Sequence, residues 1–91
     1  MNDTTLLCTI YRCKREKELY LYVDRREGTA RVPQELLDSM GSLSEVMTIR
    51  LESTRKLARA KAPEVLAAIQ QEGYYLQLPP DKQALRFTQG E

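Results

Sequence analysis

The chain has 91 residues, with 14 basic and 13 acidic side chains, no histidine and a formal net charge of +1. A chain this short forms one domain and buries roughly 60 to 65% of the surface that its unfolded form exposes; with 42% apolar and 30% charged residues it belongs with globular rather than disordered sequences. The missing histidine excludes Ser-His-Asp and Cys-His catalysis, histidine-ligated metals and every histidine acid–base mechanism.

The first residues, Met1-Asn2-Asp3-Thr4-Thr5, have neither the basic start nor the apolar stretch of a secretory signal, and no apolar run approaches the roughly 20 residues of a membrane span, so a cytoplasmic location is expected. Leu6, Cys8 and Ile10 alternate with Leu7, Thr9 and Tyr11 at the two-residue period of a strand over 6–11. A polar stretch over 12–18 precedes a second alternating run over 19–23, with Leu19, Leu21 and Val23 on one face and Tyr20 and Tyr22 on the other, and the two runs predict an antiparallel hairpin. Neither face of the second run is simply polar. Either both sides of the sheet are partly covered or the tyrosines rim an exposed surface.

Arg25-Arg26-Glu27-Gly28 reads as a turn, followed by a helix over 32–41: Pro33 suits the first position, Glu35 the positive N-terminal end, Leu36, Leu37 and Met40 the apolar stripe, and Gly41 the stop. A third strand over 45–51 places Met47, Ile49 and Leu51 on one face and Val46, Thr48 and Arg50 on the other. Residues 53–61 predict a short basic helix. Pro63 breaks it and opens another over 63–72, with Val65, Leu66 and Ile69 inward and Gly73 as its end.

Residues 74–78 alternate as a fourth strand closed by Pro79 and Pro80, and the apolar-poor residues 81–91 are expected to form a mobile C-terminal tail. The order β-β-α-β-(α)-α-β lacks the regular alternation of a doubly wound parallel sheet. The expected fold is therefore α+β, a compact two-layer sandwich in which a four-stranded, mainly antiparallel sheet carries two to three short helices, with residues 1–80 as a single domain.

Four segments in this order and at these spacings, Cys8-Thr9-Ile10-Tyr11-Arg12, Tyr20-Leu21-Tyr22-Val23, Arg31-Val32-Pro33-Gln34-Glu35-Leu36-Leu37 and Gly73-Tyr74-Tyr75-Leu76-Gln77-Leu78-Pro79-Pro80, resemble the YcgL family of small bacterial proteins. The resemblance covers about residues 7–80. It implies a compact α/β sandwich in a family of unassigned biochemical activity, and it supplies no catalytic residue and no cofactor. Three places depart from the family pattern: Gly28-Thr29-Ala30 stands before Arg31 where relatives usually have an acid, an aromatic and a serine, Met40 replaces an aromatic, and Lys61 replaces an acid before the last helix. The last change removes an acidic partner for that helix's N-terminus and enlarges a basic patch.

Candidate binding residues fall in three groups. Arg12, Lys14 and Arg15, with Tyr11, Tyr20 and Tyr22, read either as a stacking platform with a basic rim for single-stranded nucleic acid or as packing residues beside solvated charges. Arg55, Lys56, Arg59 and Lys61 read as a phosphate-binding face, with Arg55 and Arg59 on one side of the expected helix, or as an ordinary solvated surface. Arg31 either sets a guanidinium at the start of the first helix for an anionic ligand or pairs with Glu35 or Asp38.

Cys8 reads as a small buried hydrophobe and Cys13, in a basic turn, as a candidate redox thiol; their five-residue spacing matches no usual zinc motif. No residue stands out as a nucleophile or base, and no metal or cofactor is implied. The expected function is a non-enzymatic binding or adaptor module with a protein partner, and the alternative is an accessory RNA-binding protein that uses the basic and tyrosine-bearing surface.

Overall fold

The computed structural model describes residues 5–16, 18–57 and 60–79; the expected tail over 81–91 lies outside them. Four strands, β1 (Thr5–Cys13), β2 (Tyr20–Asp24), β3 (Leu43–Glu52) and β4 (Tyr75–Gln77), form one sheet in the order β3-β1-β2-β4. Every neighbouring pair is antiparallel. Among the described residues there are two helices, α1 (Gln34–Met40) between β2 and β3, and α2 (Ala62–Glu72) before β4.

Side-chain alternation explains the packing, because each strand carries apolar residues on both faces. Cys8, Ile10, Tyr22, Ile49 and Leu51 bury against Ala62, Val65, Leu66 and Ile69 of α2 on one face. Cys13, Leu21 and Val23 bury against Val32 and Met40 on the other, with Leu36 and Leu37 of α1 packed around them. The sheet and α2 thus make the expected α+β sandwich, and α1 adds a short cover to the second face. Of the two readings left open for the second strand, coverage of both sides is the one found.

The helix ends follow local chemistry. Pro33 sits just outside α1 at φ −58° and ψ 138°, and Gly41 closes that helix with its N–H on the Leu37 carbonyl. In α2 the proline falls one position further in than expected, Ala62 already being helical; a proline in the first turn removes no hydrogen bond the helix needs. Gly73 takes the left-handed conformation at φ 93° and donates to Ile69 O at 2.9 Å.

Two expectations need correction. The helix expected over 53–61 is absent from its described part: the chain turns after β3, Arg55 N–H donating to Glu52 O at 2.9 Å, and Lys56 then pairs across the loop with Lys61. Arg55 and Arg59 would be like charges one helical turn apart with no acid between them to offset the repulsion, and half-buried Leu57 and Ala60 give only a short apolar stripe to bury. Strand β3 also does not alternate throughout: Ile10 pairs with Met47 but Tyr11 with Glu45, so Val46 is an extra, bulged residue. Glu45, Thr48 and Arg50 consequently share a face, where strict alternation put Val46 with Thr48 and Arg50.

Candidate functional site

A cross-strand rung runs the full width of the sheet, Met47 on β3, Ile10 on β1, Tyr22 on β2 and Tyr75 on β4. The next rung on the same face is Ser44, Arg12, Tyr20 and Gln77. Along this face of β3 exposure falls from 50% at Met47 to 9% at Ile49 and 0% at Leu51, so the cover given by α2 thins toward Met47. Where it thins, a groove of about 370 Å³ opens. Ile10, Tyr22 and Ile49 form its buried floor, Tyr20, Val46 and Met47 line its sides, and the exposed Glu18, Arg55 and Lys56 stand at its edge.

Floor and wall are held differently. The Tyr22 hydroxyl donates to Gln77 Oε1 at 2.8 Å, both side chains being buried, and the Tyr22 ring meets Tyr75 edge to face at 5.7 Å. Burial pushes the Tyr22 phenol above its ordinary pKa, with the nearby Cys8, Tyr75 and Tyr20 adding to the rise, so it stays neutral and keeps donating. Tyr20 is only half-buried. Arg55 and Lys56 are exposed, and among the described residues neither has an ion-pair partner. The groove is therefore apolar inside and charged at its rim, where the two cations Arg55 and Lys56 outnumber the one acid, Glu18.

Of the other residues singled out from the sequence, Arg12 lies beside Tyr20 on the groove face, and Lys61 adjoins Lys56. Tyr11 points to the opposite face among the α1 contacts. Arg15 lies against the C-terminal end of α1, Nη1 donating to Ser39 O at 3.4 Å, and Lys14, also exposed, donates its backbone N–H to Ser42 O at 3.1 Å just past the end of β1. Arg59 is outside the described residues.

Arg31 departs from both of its expected roles. Its guanidinium is at the C-terminal end of α2, where Nη2 donates to Gln71 O at 3.1 Å, and its ion-pair partner is Glu27 at 3.6 Å rather than Glu35 or Asp38. Neither helix has a basic residue in its own last turn. Arg15 and Arg31 supply from elsewhere in the chain the positive charge that those negative ends favour.

Cys13 is likewise not in a turn. It ends β1, is buried, and its thiol donates to Met40 O at 2.9 Å, which leaves no open approach for the redox chemistry considered from its neighbours. Cys8 is fully buried and its thiol is pushed up to about 12, first by desolvation and further by the Asp24 charge, against an opposing hydrogen bond from Val23.

The profile of the YcgL domain matches residues 8–80. The chain belongs to the YcgL domain family. Among its relatives, a YcgL domain-containing protein of Chromohalobacter salexigens is 46% identical over 81 residues, 89% of this chain and 84% of that protein. One from Serratia proteamaculans is 43% identical over 75 residues, 82% and 83% of the two chains, and one from Pectobacterium atrosepticum is 39% identical over 83 residues, 91% and 98%.

In this YcgL domain the groove residues that sequence reasoning left out as binding positions are Ile10, Glu18, Val46, Met47, Ile49, Leu57 and Gln77. Ile10, Met47 and Ile49 read as ordinary inward strand positions, and only strand order shows that α2 leaves Met47 uncovered. Among the described residues no three His, Cys, Asp or Glu side chains converge as metal ligands. No helix among them is long and apolar enough to cross a membrane.

Proposed function

We propose that this YcgL domain is a non-enzymatic binding module that takes a short apolar segment of a partner protein, flanked by an acidic group, into the groove on the α2 face. One observation carries the reading: Met47, half exposed, opens an apolar groove whose rim holds two exposed cations, Arg55 and Lys56, with no ion-pair partner among the described residues, against one acid, Glu18. Apolar contact supplies affinity in such a cleft, and unpaired charge at its rim selects the sign of what enters.

The RNA-binding alternative has less support. Stacking needs open aromatic faces, whereas Tyr22 is buried and held by Gln77 and Tyr75, and Tyr11 is on the far side of the sheet.

A displayed random-peptide library selected on the full chain tests the reading. The enriched peptides should combine apolar with Asp or Glu residues, and their binding should weaken roughly tenfold or more with Met47→Glu and with Arg55→Ala plus Lys56→Ala. Peptides that bind these variants as well as the parent, or a single-stranded oligonucleotide that binds at low salt and competes with the peptides, would count against it.

A further inference from the structure

Strand β3 is one edge of the sheet and runs for ten residues, whereas the other edge, β4, has three. A long edge offers a row of unpaired backbone N–H and C=O groups to any strand that can lie beside it. The side chains along this row are arranged about Thr48. Going one way from Thr48 come Ile49 and then Arg50; going the other come Met47, the bulged Val46 and then Glu45.

Partners on β1 fix the faces, since Glu45, Thr48 and Arg50 lie opposite Tyr11, Thr9 and Leu7, while Met47 and Ile49 lie opposite Ile10 and Cys8. In a regular strand Glu45 and Arg50 would point to opposite faces. The bulge brings them to the same face, each two rungs from Thr48. Glu45, Thr48 and Arg50 are exposed, with Val46 and Met47, and among the described residues neither Glu45 nor Arg50 is in an ion pair.

We infer that β3 pairs antiparallel with β3 of a second copy of this chain about a two-fold axis through Thr48. In that register Thr48 meets its own counterpart and Met47 meets the second copy's Ile49. Glu45 meets the second copy's Arg50 and Arg50 meets its Glu45, so one symmetric contact makes two opposite-charge pairs. Two four-stranded sheets become one continuous sheet. Pairing centred on Glu45 or on Arg50 would instead set like charges against each other, which gives the contact its register as well as its partner. The short β4 edge has too few backbone groups to compete.

Sedimentation of the full chain over a dilution series tests the pairing. The wild type should show a reversible species of twice the 10.5 kDa chain mass. Glu45→Arg and Arg50→Glu, both on exposed positions, should each keep native circular dichroism and weaken dimerisation roughly tenfold or more, because each puts two like-charge pairs across the axis. An equimolar mixture of the two variants should dimerise again, since the mixed dimer has both pairs attractive, and so should a chain carrying both changes. A wild type that stays monomeric, single variants that associate like the parent, or a mixture that fails to recover would each overturn the inference.

Discussion

Arg31 stands where a side chain on Gly73 would have to go. A β-carbon on Gly73 would run into the Arg31 β-carbon, with Nε and Cδ of the same side chain at 2.9 and 3.0 Å, and the backbone there is left-handed at φ 93°. The close approach lets the Arg31 guanidinium reach Gln71 O at the end of α2.

Gly73→Ala should therefore destabilise the domain by about 2 kcal/mol or more, combining an unfavourable φ with a steric overlap. Arg31→Ala should not rescue it, because alanine keeps the β-carbon that is in the way. Urea unfolding of the three proteins reads this directly; a Gly73→Ala midpoint within about 0.5 kcal/mol of the parent would show that the segment relaxes freely.

The Tyr22–Gln77 hydrogen bond ties central β2 to the β4 edge inside the core. Tyr22→Phe should cost about 1 to 2 kcal/mol, since Gln77 Oε1 is left buried without a donor. Gln77→Leu in the Tyr22→Phe protein should add little, because both ends of the bond are then apolar. Additive losses in that double-mutant cycle would mean that the two side chains act independently.

Asp24 ends β2, and its carboxylate accepts from Arg26 N–H at 2.9 Å and from Arg26 Nη2 at 3.2 Å. Burial alone would raise its pKa, but the Arg26 hydrogen bonds and charge outweigh it and hold the carboxyl below its ordinary value. A carboxyl depressed in the fold contributes stability that is complete above the unfolded pKa and is lost as pH falls through the folded one. The Arg26 side chain is 85% exposed, so added salt should weaken the guanidinium part more than the backbone part. Melting temperature should thus fall less between pH 7 and about pH 3 in Asp24→Asn than in the parent. Equal falls would assign the acid sensitivity to other groups.

Much of this fold is legible in one dimension because burial enforces it locally. Val65, Leu66 and Ile69 are inward in α2 as their spacing requires, and Leu21 and Ile49 are buried where alternation put them, with Leu76 half covered. The bulge at Val46 has no such signature: no glycine marks it, and only the register against β1 reveals it. The described part of 53–61 departs from its expected helix because its residues accept a helix individually and are refused one by their shared charge.

Arg31 carried an ambiguous signal for a different reason. Its partners, Glu27 and the Gln71 carbonyl, include one 40 residues away that no local pattern names. The groove has the same character. Tyr20, Tyr22, Arg55 and Lys56 were recognisable as binding types, but what gathers them beside Met47 is the strand order β3-β1-β2-β4, which depends on pairings far apart in the chain.

That strand order has a consequence during translation. Thr5 pairs with Glu52, and the last helix ends at Glu72, so a nascent chain that has completed β2 at Asp24 lacks the cover for both of its oily sides. A two-stranded hairpin alone is marginal in water. At about 5 to 20 residues per second, the residues from Asp24 to Glu72 take roughly 2 to 10 seconds to add, so β1 and β2 wait that long after their own synthesis for the last of their cover.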